Sequence, residues 1–348
     1  MKLPSEDKAR AAIAERLVEL LEVDRGEVRF EAGRDAGLAG GKVAVGAHAF
    51  AVAWRSSGRL AQVAAAIEQA SQRAAVEAAV PLVAVPFMGR AGRERCAEAG
   101  VAWLDLSGNA GIVAAGLRIL VEGRPNRFKR RGRPQSVFAP KSSRIARWLL
   151  IHHDEALTQR QIARATGVGE GYTSKIVRRL QRDGLVVREG DGGVRPRDRD
   201  LLLDAWREAY DFERHHIIRG HVAARSGAAL LRHLADSLRG TVGYAATGLG
   251  AAWLLKRFAG FRLASVYLAE EPPPRLLEAI SFREQERGAN CWLVVPADAG
   301  VFQGLVEVDG VRCVHPLQVY LDLAGHPERA AEAADELRGC GVIWGNDG

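Results

Sequence analysis

Apolar residues in the first 123 positions recur with helical spacing in three segments and with strand spacing between them. Gly-rich turns separate the predicted strands. One of these strands is a continuous apolar run, as expected for a strand that is buried on both faces. The predicted helices are Leu3–Val23, Arg59–Ala79 and Arg90–Ala99, and the predicted strands are Val28–Phe30, Lys42–Val45, Phe50–Arg55, Pro81–Phe87, Val101–Leu106 and one or two within Gly111–Glu122. The order is α-β-β-β-α-β-α-β, which predicts an α/β domain.

Residues 142–200 show a different pattern, in which short amphipathic helices precede two short strands. Gly184 ends the third helix where a left-handed residue is favoured. The predicted elements are helices Ser142–His153, Gln159–Thr166 and Glu170–Asp183 and strands Leu185–Arg188 and Gly193–Arg195. A helix, a helix–turn–helix and a hairpin in this order predict a winged helix.

The last third of the chain, residues 201–348, predicts a second α/β or α+β domain. Its first part, Leu201–Leu238, reads as mainly helical. Strands and helices then alternate in the order Tyr244–Thr247, Leu249–Phe258, Ala264–Ala269, Pro274–Ile280 and Cys291–Pro296, and a final helix spans Pro327–Arg338. The predicted domains are therefore 1–123, a linker at 124–141, a winged helix at 142–200 and a C-terminal domain at 201–348.

The composition is that of a chain with ordinary globular domains. Its 348 residues are 47% hydrophobic, which is enough for each domain to bury a core. The sequence contains neither an apolar run long enough to span a membrane nor an apolar leader, so we expect a cytoplasmic protein. The four cysteines form no C-x-x-C pair, and we expect no metal and no cofactor.

The net charge of +7 is concentrated in the middle of the chain. Residues Arg124–Arg199 hold nineteen Lys and Arg against seven Asp and Glu, so this segment carries +12 and the remainder sums to −5. Such a basic block is typical of a site for a polyanion such as DNA. The alternative is a solvated linker with an ordinary surface, and the winged-helix pattern inside the block favours the DNA site.

The element order of the first domain resembles the restriction-endonuclease-like fold. Active members of that family carry an acidic residue on one strand and an acidic-x-Lys pair on the next, and the carboxylates hold Mg²⁺. Here the pair is replaced by Ala53 and Arg55. The nearest preceding carboxylate, Asp35, lies before the strand that should carry it. The resemblance therefore implies a catalytically degenerate scaffold, and we expect no enzymatic activity.

The segment Arg124–Lys141 holds seven basic residues, no acidic residue and three prolines, which favours an extended linker. Its core Arg131-Gly132-Arg133-Pro134 resembles an AT-hook, in which two arginines lie along a narrow A·T minor groove. This resemblance implies that Arg130, Arg131 and Arg133 bind DNA. Non-specific contacts with phosphates are the alternative.

The third helix of a winged helix enters the major groove. Polar residues near its N-terminus are expected at base edges, and basic residues further along and in the wing are expected at phosphates. The start of the preceding helix can bind a phosphate through backbone N–H groups. The candidate residues are Thr158 and Gln159 for the helix start, Tyr172, Thr173 and Lys175 for base edges with Ser174 beside them, and Arg178, Arg179, Arg188 and Arg195 for phosphates.

Other motifs in the sequence give only weak indications of a functional site. Asp105 and Asn109 are interpreted as turn formers rather than as site residues. Thr247–Ala252 contains a G-x-G but lacks the third glycine of a dinucleotide site. The clustered histidines lack i, i+4 spacing and are interpreted as surface or core residues; they are His215, His216, His221 and His233.

The whole chain resembles bacterial AbiEi-type antitoxin-like, winged-helix transcriptional regulators. The residues that carry this resemblance are Leu104–Ala110, Ser142–Ile145, Gly171–Val177 and His315–Leu323. The resemblance implies that the winged helix binds the protein's own operator and that the C-terminal domain acts against a nucleotidyltransferase-like toxin. Because an extra domain precedes the winged helix here, repressor activity carries over better than toxin neutralisation.

Three classes of function remain open on the sequence alone. The favoured class is a sequence-specific protein for double-stranded DNA, a transcriptional regulator that binds paired half-sites as a homodimer. A DNA-processing nuclease is disfavoured by Ala53 and Arg55. The third class is an interaction module whose winged helix docks on protein.

Overall fold

The computed structural model describes residues 4–32, 40–128, 136–190, 192–257 and 260–345 of the chain. The chain divides into two compact units. The first consists of Met1–Gln135, Leu180–Val187 and Arg197–Glu208, and the second of Ser136–Arg179, Arg188–Pro196 and Ala209–Gly348. The domain boundaries inferred from the sequence remain predictions. None of the helices in the described ranges is long and apolar enough to cross a membrane.

The first unit is built on a seven-stranded sheet whose strands follow the order of the chain, β1 to β7. The central pairs β3–β4 and β4–β5 are parallel, and the outer pairs are antiparallel. The strands are β1 (Val28–Ala32), β2 (Gly40–Val45), β3 (His48–Trp54), β4 (Val80–Val85), β5 (Ala102–Asp105), β6 (Ala110–Ala114) and β7 (Leu117–Val121). The helices are α1 (Glu6–Leu21), α2 (Leu60–Glu77) and α3 (Arg90–Glu98).

Both faces of the strand β4 are buried over residues 82–85, as its continuous apolar run predicted. On one face, Ile13 and Leu17 of α1 share a core with Leu82 of β4. On the other face, Val63 of α2 shares a core with Val83, the next residue of β4. Successive side chains of a strand point to opposite faces, so one strand serves two cores. The element order predicted for this part is confirmed, and the segment after β5 forms two strands.

A buried carboxylate organises the loop between β5 and β6. Asp105 Oδ1 accepts the backbone N–H groups of residues 107, 108 and 109 at 2.8–2.9 Å, and Oδ2 accepts those of Met88 and the Asn109 side chain. Asn109 in turn accepts the N–H of Arg124 and donates to its carbonyl. Both residues are thus turn formers, and they anchor the point where the basic linker begins.

The winged-helix elements follow the predicted order. They are α4 (Pro140–Ile151), α5 (Gln159–Thr166), α6 (Glu170–Arg182), β8 (Val186–Arg188) and β9 (Val194–Pro196), and α7 (Arg199–Ala209) follows them. Strands β8 and β9 form a two-stranded sheet, and Leu157 makes an isolated bridge to Val194 beside it. The helix α4 packs against α5.

The C-terminal part is a second seven-stranded sheet, with the order β13-β10-β14-β12-β11-β16-β15. Its strands are β10 (His216–His221), β11 (Tyr244–Thr247), β12 (Ala264–Leu268), β13 (Arg283–Glu284), β14 (Cys291–Val295), β15 (Val306–Val308) and β16 (Val311–Cys313). Its helices are α8 (Gly227–Leu238), α9 (Gly248–Lys256), α10 (Pro274–Ala279), α11 (Pro316–Leu323) and α12 (Ala330–Gly339).

The prediction that Leu201–Leu238 is mainly helical is wrong in its middle part. The strand β10 separates α7 from α8 and pairs with both β13 and β14. Two β-branched residues, Ile217 and Ile218, favour the strand. Gly220 fits there because a Cβ at that position would lie 2.2 Å from Cζ of Phe282.

We predict that Asp105→Ala lowers the free energy of unfolding by at least about 3 kcal/mol, because it leaves several buried N–H groups without an acceptor. Urea unfolding of the full chain measures the effect. Glu98→Ala, which removes an exposed carboxylate at the end of α3, serves as the control and should change stability by less than about 0.5 kcal/mol. Equal effects of the two substitutions would contradict the role assigned to Asp105.

Candidate nucleic-acid interface

The turn between α5 and α6 is defined by local hydrogen bonds. Thr158 caps α5 by accepting the N–H of Gln161, whose side chain accepts the N–H of Thr158 in return. Gly167 follows α5 in the left-handed conformation, with φ +64°. Val168 then turns inward and is buried. This geometry fixes where α6 begins, and it leaves Thr158 itself exposed at the start of α5.

The helix α6 has one buried face and one exposed face. The buried face carries Ile176, Val177 and Leu180. The exposed face carries Lys175, Arg178 and Arg182, which stand at i, i+3 and i+7 and therefore form one stripe. We call these three residues the cationic stripe. Its cations face solvent, as a helix that enters a major groove requires.

The other predicted residues of the helix–turn–helix differ in exposure. Gln159, Tyr172, Ser174 and Arg179 are half-buried. The carbonyl of Ser174 accepts a hydrogen bond from Nε of Arg178 at 3.3 Å, which directs this arginine along the helix. The assignment of these residues to DNA contacts remains a prediction.

Thr173 is a correction to the predicted set. Its side chain is fully buried, and Oγ1 donates to the carbonyl of Val168 at 3.4 Å. A base edge cannot reach this hydroxyl. The helical spacing shows why, since Thr173 stands three, four and seven residues before the three buried residues of α6 and so belongs to the buried face.

The wing holds two of the predicted phosphate-binding arginines. Arg188 is exposed and donates to the carbonyl of Gly192 at 3.4 Å. Arg195 is half-buried and donates to the Glu189 carboxylate at 2.5 Å. A phosphate that binds Arg195 would therefore have to replace the Glu189 carboxylate as its partner. The three arginines of the AT-hook-like core, Arg130, Arg131 and Arg133, lie outside the described residues.

Two arginines of α4 contact the C-terminal part of the second unit, at Asp298 after β14 and at Gln318 of α11. Arg144 makes a bidentate ion pair with Asp298, through Nε at 2.6 Å and Nη2 at 3.0 Å. Its remaining nitrogen, Nη1, donates to the carbonyl of Thr166, the last residue of α5. Hydrogen bonding to Asp298 raises the pKa of Arg144. One side chain therefore links the C-terminal part, α4 and the end of α5.

Arg147, one turn along α4, enters a buried polar cluster that the sequence did not predict. Its Nη2 donates to Oε1 of Gln318, and Nε2 of Gln318 donates to Oδ1 of Asp322 at 2.6 Å. Burial lowers the pKa of Arg147 to about 10 and raises that of Asp322 to about 6. The Gln318 amide lies between the guanidinium of Arg147 and the carboxylate of Asp322.

The Asp322 carboxylate has further donors. Hydroxyls of Tyr210, Tyr267 and Thr247 donate to it, the last at 2.5 Å. These bonds stabilise the charged form and lower the pKa of Asp322, although the larger effect of burial still raises it. Gln318 and Asp322 both belong to the motif His315–Leu323 on which the family resemblance rested. The signal in the sequence that could have indicated these two residues is a polar pair at i and i+4 within an otherwise apolar helix.

Three histidines surround this cluster in their neutral form. His215 accepts the N–H of Ala297 at Nδ1, so its proton is on Nε2 and faces the Tyr210 hydroxyl at 2.9 Å. Burial lowers the pKa of each of the three to about 4, and the charge of Arg147 adds to this for two of them. They are His215, His315 and His326.

The positions of the degenerate nuclease motif lie on and after β3. Ala53 is buried and pairs with Gly40 of β2. The backbone N–H of Arg55 donates to the carbonyl of Ala84, and burial lowers the pKa of the Arg55 guanidinium. Asp35 lies outside the described residues. Within the described ranges, no three His, Cys, Asp or Glu residues are grouped as a metal site requires.

Comparison with known proteins supports the regulator interpretation. Residues 140–195 match the family model described as the MarR family. Residues 195–340 match the model described as transcriptional regulator, AbiEi antitoxin, type IV TA system. No curated protein and no solved structure matches the chain.

These matches confirm the predicted resemblance to winged-helix and AbiEi-type regulators. Together with the cationic stripe, they define the class of protein, which is a DNA-binding transcriptional regulator. Neither match includes residues 1–139, so the nuclease-like resemblance of the first domain remains a prediction.

We predict that Thr173→Val leaves affinity for a specific duplex unchanged within about twofold, because the buried hydroxyl touches no base. The lost hydrogen bond should lower the free energy of unfolding by about 1 kcal/mol. Titration of a fluorescent duplex measures affinity. Lys175→Ala is the matched exposed change and should weaken binding by about tenfold. A tenfold loss of affinity for the duplex in a folded Thr173→Val protein would show that Thr173 contacts a base after all.

We predict that acidification destabilises the second unit. The three histidines have lowered pKa values, so their stabilising effect is present above about pH 6.5 and is lost as the pH falls toward 4. Asp322 has a raised pKa and acts in the opposite direction below about pH 6. Three protons taken up by the histidines of the unfolded chain, against one taken up by Asp322 of the folded chain, leave a net of two. The free energy of unfolding should therefore fall by roughly 2.7 kcal/mol for each pH unit between 6 and 5.

Urea unfolding at several pH values measures this dependence. His215→Gln should reduce the slope by about one proton. The exposed His216, changed to Gln in the same way, is the control and should leave the slope in place. A stability that stays constant or rises between pH 7 and pH 5 would contradict the burial of neutral histidines.

Proposed function

We propose that the protein is a sequence-specific transcriptional regulator that reads double-stranded DNA with α6 in the major groove. The cationic stripe on the exposed face of α6 is the observation that carries this proposal. Tyr172 and Lys175 lie in the N-terminal half of the helix, where base edges are expected, and Arg178 lies further along, at a phosphate. The capped start of α5 adds a phosphate contact through its N–H groups.

The basic linker and the wing extend this interface in our proposal. The linker is anchored at Arg124 by Asn109, so it leaves the first domain from a fixed point. Its AT-hook-like arginines would follow the minor groove beside the site read by α6, where A·T sequences carry enhanced negative potential. A preference for A·T base pairs at the flank of the operator follows from this arrangement.

We propose that the first domain is a nuclease-like scaffold without catalytic activity, and that the protein is not an enzyme. The observed order α1-β1-β2-β3-α2-β4, with β3 and β4 parallel, supports the endonuclease-like resemblance. Ala53 stands at the position of a metal-binding carboxylate, and a methyl group cannot ligate Mg²⁺. Incubation of plasmid with Mg²⁺ or Mn²⁺ should leave it intact.

The proposed partners follow from the regulator class. The protein would act in the cytoplasm as a homodimer on paired half-sites, since winged-helix readers of this kind match their own symmetry to that of the operator. The AbiEi-type match over residues 195–340 supports a toxin as a further partner of the C-terminal domain. A gene for that toxin beside this one on the chromosome would be consistent with such an arrangement.

Selection of bound duplexes from a random pool tests the function most broadly. We expect enrichment of one shared motif with an A·T-rich flank. Recovery of duplexes without any shared motif would reduce the activity to non-specific binding. No retardation of any duplex at low salt would contradict DNA binding and favour a winged helix that docks on protein.

We predict that Arg178→Ala weakens binding to selected and unrelated duplexes alike, because a phosphate contact carries no sequence information. The slope of log K against log salt should become shallower by about 0.9. Arg275→Ala, at an exposed position of α10, is the control and should leave slope and affinity unchanged. A loss confined to the selected duplex would move Arg178 from a phosphate to a base edge.

A further inference from the structure

One stripe of α4 faces the C-terminal part of the second unit. It consists of Arg144, Arg147 and Ile151, which stand at i, i+3 and i+7 on the helix. Arg144 pairs with Asp298, and Arg147 is buried against Gln318. We call this set of contacts the α4 seam. Nothing in the DNA-reading role of α6 requires α4 to bury Arg147 or to pair the half-buried Arg144 with Asp298.

The loop around Asp298 is shaped to these arginines. Gly300 follows Asp298 by two residues, and its N–H donates to the Asp298 carboxylate at 2.7 Å. A Cβ on Gly300 would lie 2.6 Å from Cγ of Arg144 and 3.0 Å from Nη1 of Arg147. The side chains of both arginines therefore pass close to Gly300. A larger residue at this position would push the loop around Asp298 away from α4.

The two arginines are joined a second time through the C-terminal part. Arg147 donates to Gln318, Gln318 donates to Asp322, and Tyr210 donates to the same carboxylate. His215 connects the Tyr210 hydroxyl to the N–H of Ala297, the residue before Asp298. The polar cluster thus connects Arg147 with Asp298, the partner of Arg144, and both arginines belong to α4. Displacement of one arginine therefore disturbs the partners of the other.

The seam also reaches the helix–turn–helix. Arg144 holds Asp298 with Nε and Nη2, and its Nη1 donates to the carbonyl of Thr166 at 3.3 Å. Thr166 is the last residue of α5, and the left-handed Gly167 comes next. The carboxylate of Asp298 is therefore two hydrogen bonds away from the turn that sets the direction of α6.

We propose that the C-terminal domain positions the DNA-reading helix, with Asp298 acting through Arg144 and the Gln318–Asp322 pair acting through Arg147. Asp298 touches no DNA in this proposal and is a positioning residue. The proposal rests on the proposed function. It assigns the motif His315–Leu323 a role in DNA binding, in addition to any contact with a toxin.

The test uses the full chain with Asp298→Asn, which keeps the shape of the side chain and removes its charge. We expect affinity for the selected duplex to fall about tenfold, and affinity for an unrelated duplex to fall less than about twofold, with an unchanged salt slope. The matched control is Asp309→Asn, which breaks an exposed ion pair with Arg257 in the same domain. This control should change neither affinity.

A double-substitution cycle separates positioning from a general loss of stability. If Asp298 acts through Arg144, then Asp298→Asn in an Arg144→Gln background should cost no further affinity. Hydrogen exchange gives a readout that needs no DNA. The amide of Val168, which donates to the carbonyl of Ala163, should exchange at least about tenfold faster in Asp298→Asn and at the wild-type rate in Asp309→Asn.

Three results would overturn the proposal. They are equal losses for selected and unrelated duplexes, additive losses in the double substitution, and an unchanged exchange rate at Val168. If the wild-type protein binds no duplex, the proposed function fails and the positioning role fails with it. In that case the exchange measurement still shows whether Asp298 orders the turn.

Discussion

Burial of the Arg147 guanidinium is the constraint on which the second unit depends. Removing a cation from water costs several kcal/mol, and the cost is offset only when a counter-charge and hydrogen-bond partners are buried with it. The Gln318 amide turns its oxygen to Arg147 and its nitrogen to Asp322, and so aligns a dipole between the two charges. These contacts join α4 of the winged helix to α11 of the C-terminal part.

A second electrostatic constraint acts on α6. Lys175, Arg178 and Arg182 repel one another in the absence of DNA, and the helix keeps them together because its opposite face is buried. The phosphates of a duplex relieve that repulsion and release counterions, which is the general source of affinity in basic DNA-binding helices. The two constraints act on different cations. Cations proposed to bind DNA are exposed, and a cation that stabilises the fold is buried. Arg147, which is buried, and Arg178, which is exposed, illustrate the two kinds.

Local signals allowed the sequence to predict much of the fold. Thr158 and Gly167 mark the start and end of α5, and the predicted helix Gln159–Thr166 has the observed bounds. The strand β10 was missed because a six-residue segment between two amphipathic helices gives little periodicity. Thr173 was assigned to the wrong face, although its spacing to Ile176 placed it with the buried residues.

The buried cluster could not be predicted from the sequence for a different reason. Its members come from segments far apart along the chain, with Arg147 and Gln318 separated by 171 residues. Local patterns carry no information on such pairs, and an arginine in a basic segment reads as a surface residue. The family resemblance identified the motif around Gln318 but did not predict its contacts with Arg147 and Asp322.

The central claim is that α6 lies in the major groove of duplex DNA. Methylation interference on a selected duplex tests it directly, because methylation of guanine N7 alters only the major-groove edge. The account predicts that a few methylated guanines within one half-turn abolish binding by the wild-type protein, and that the pattern changes in Lys175→Ala. Binding that tolerates methylation at every guanine would contradict the account.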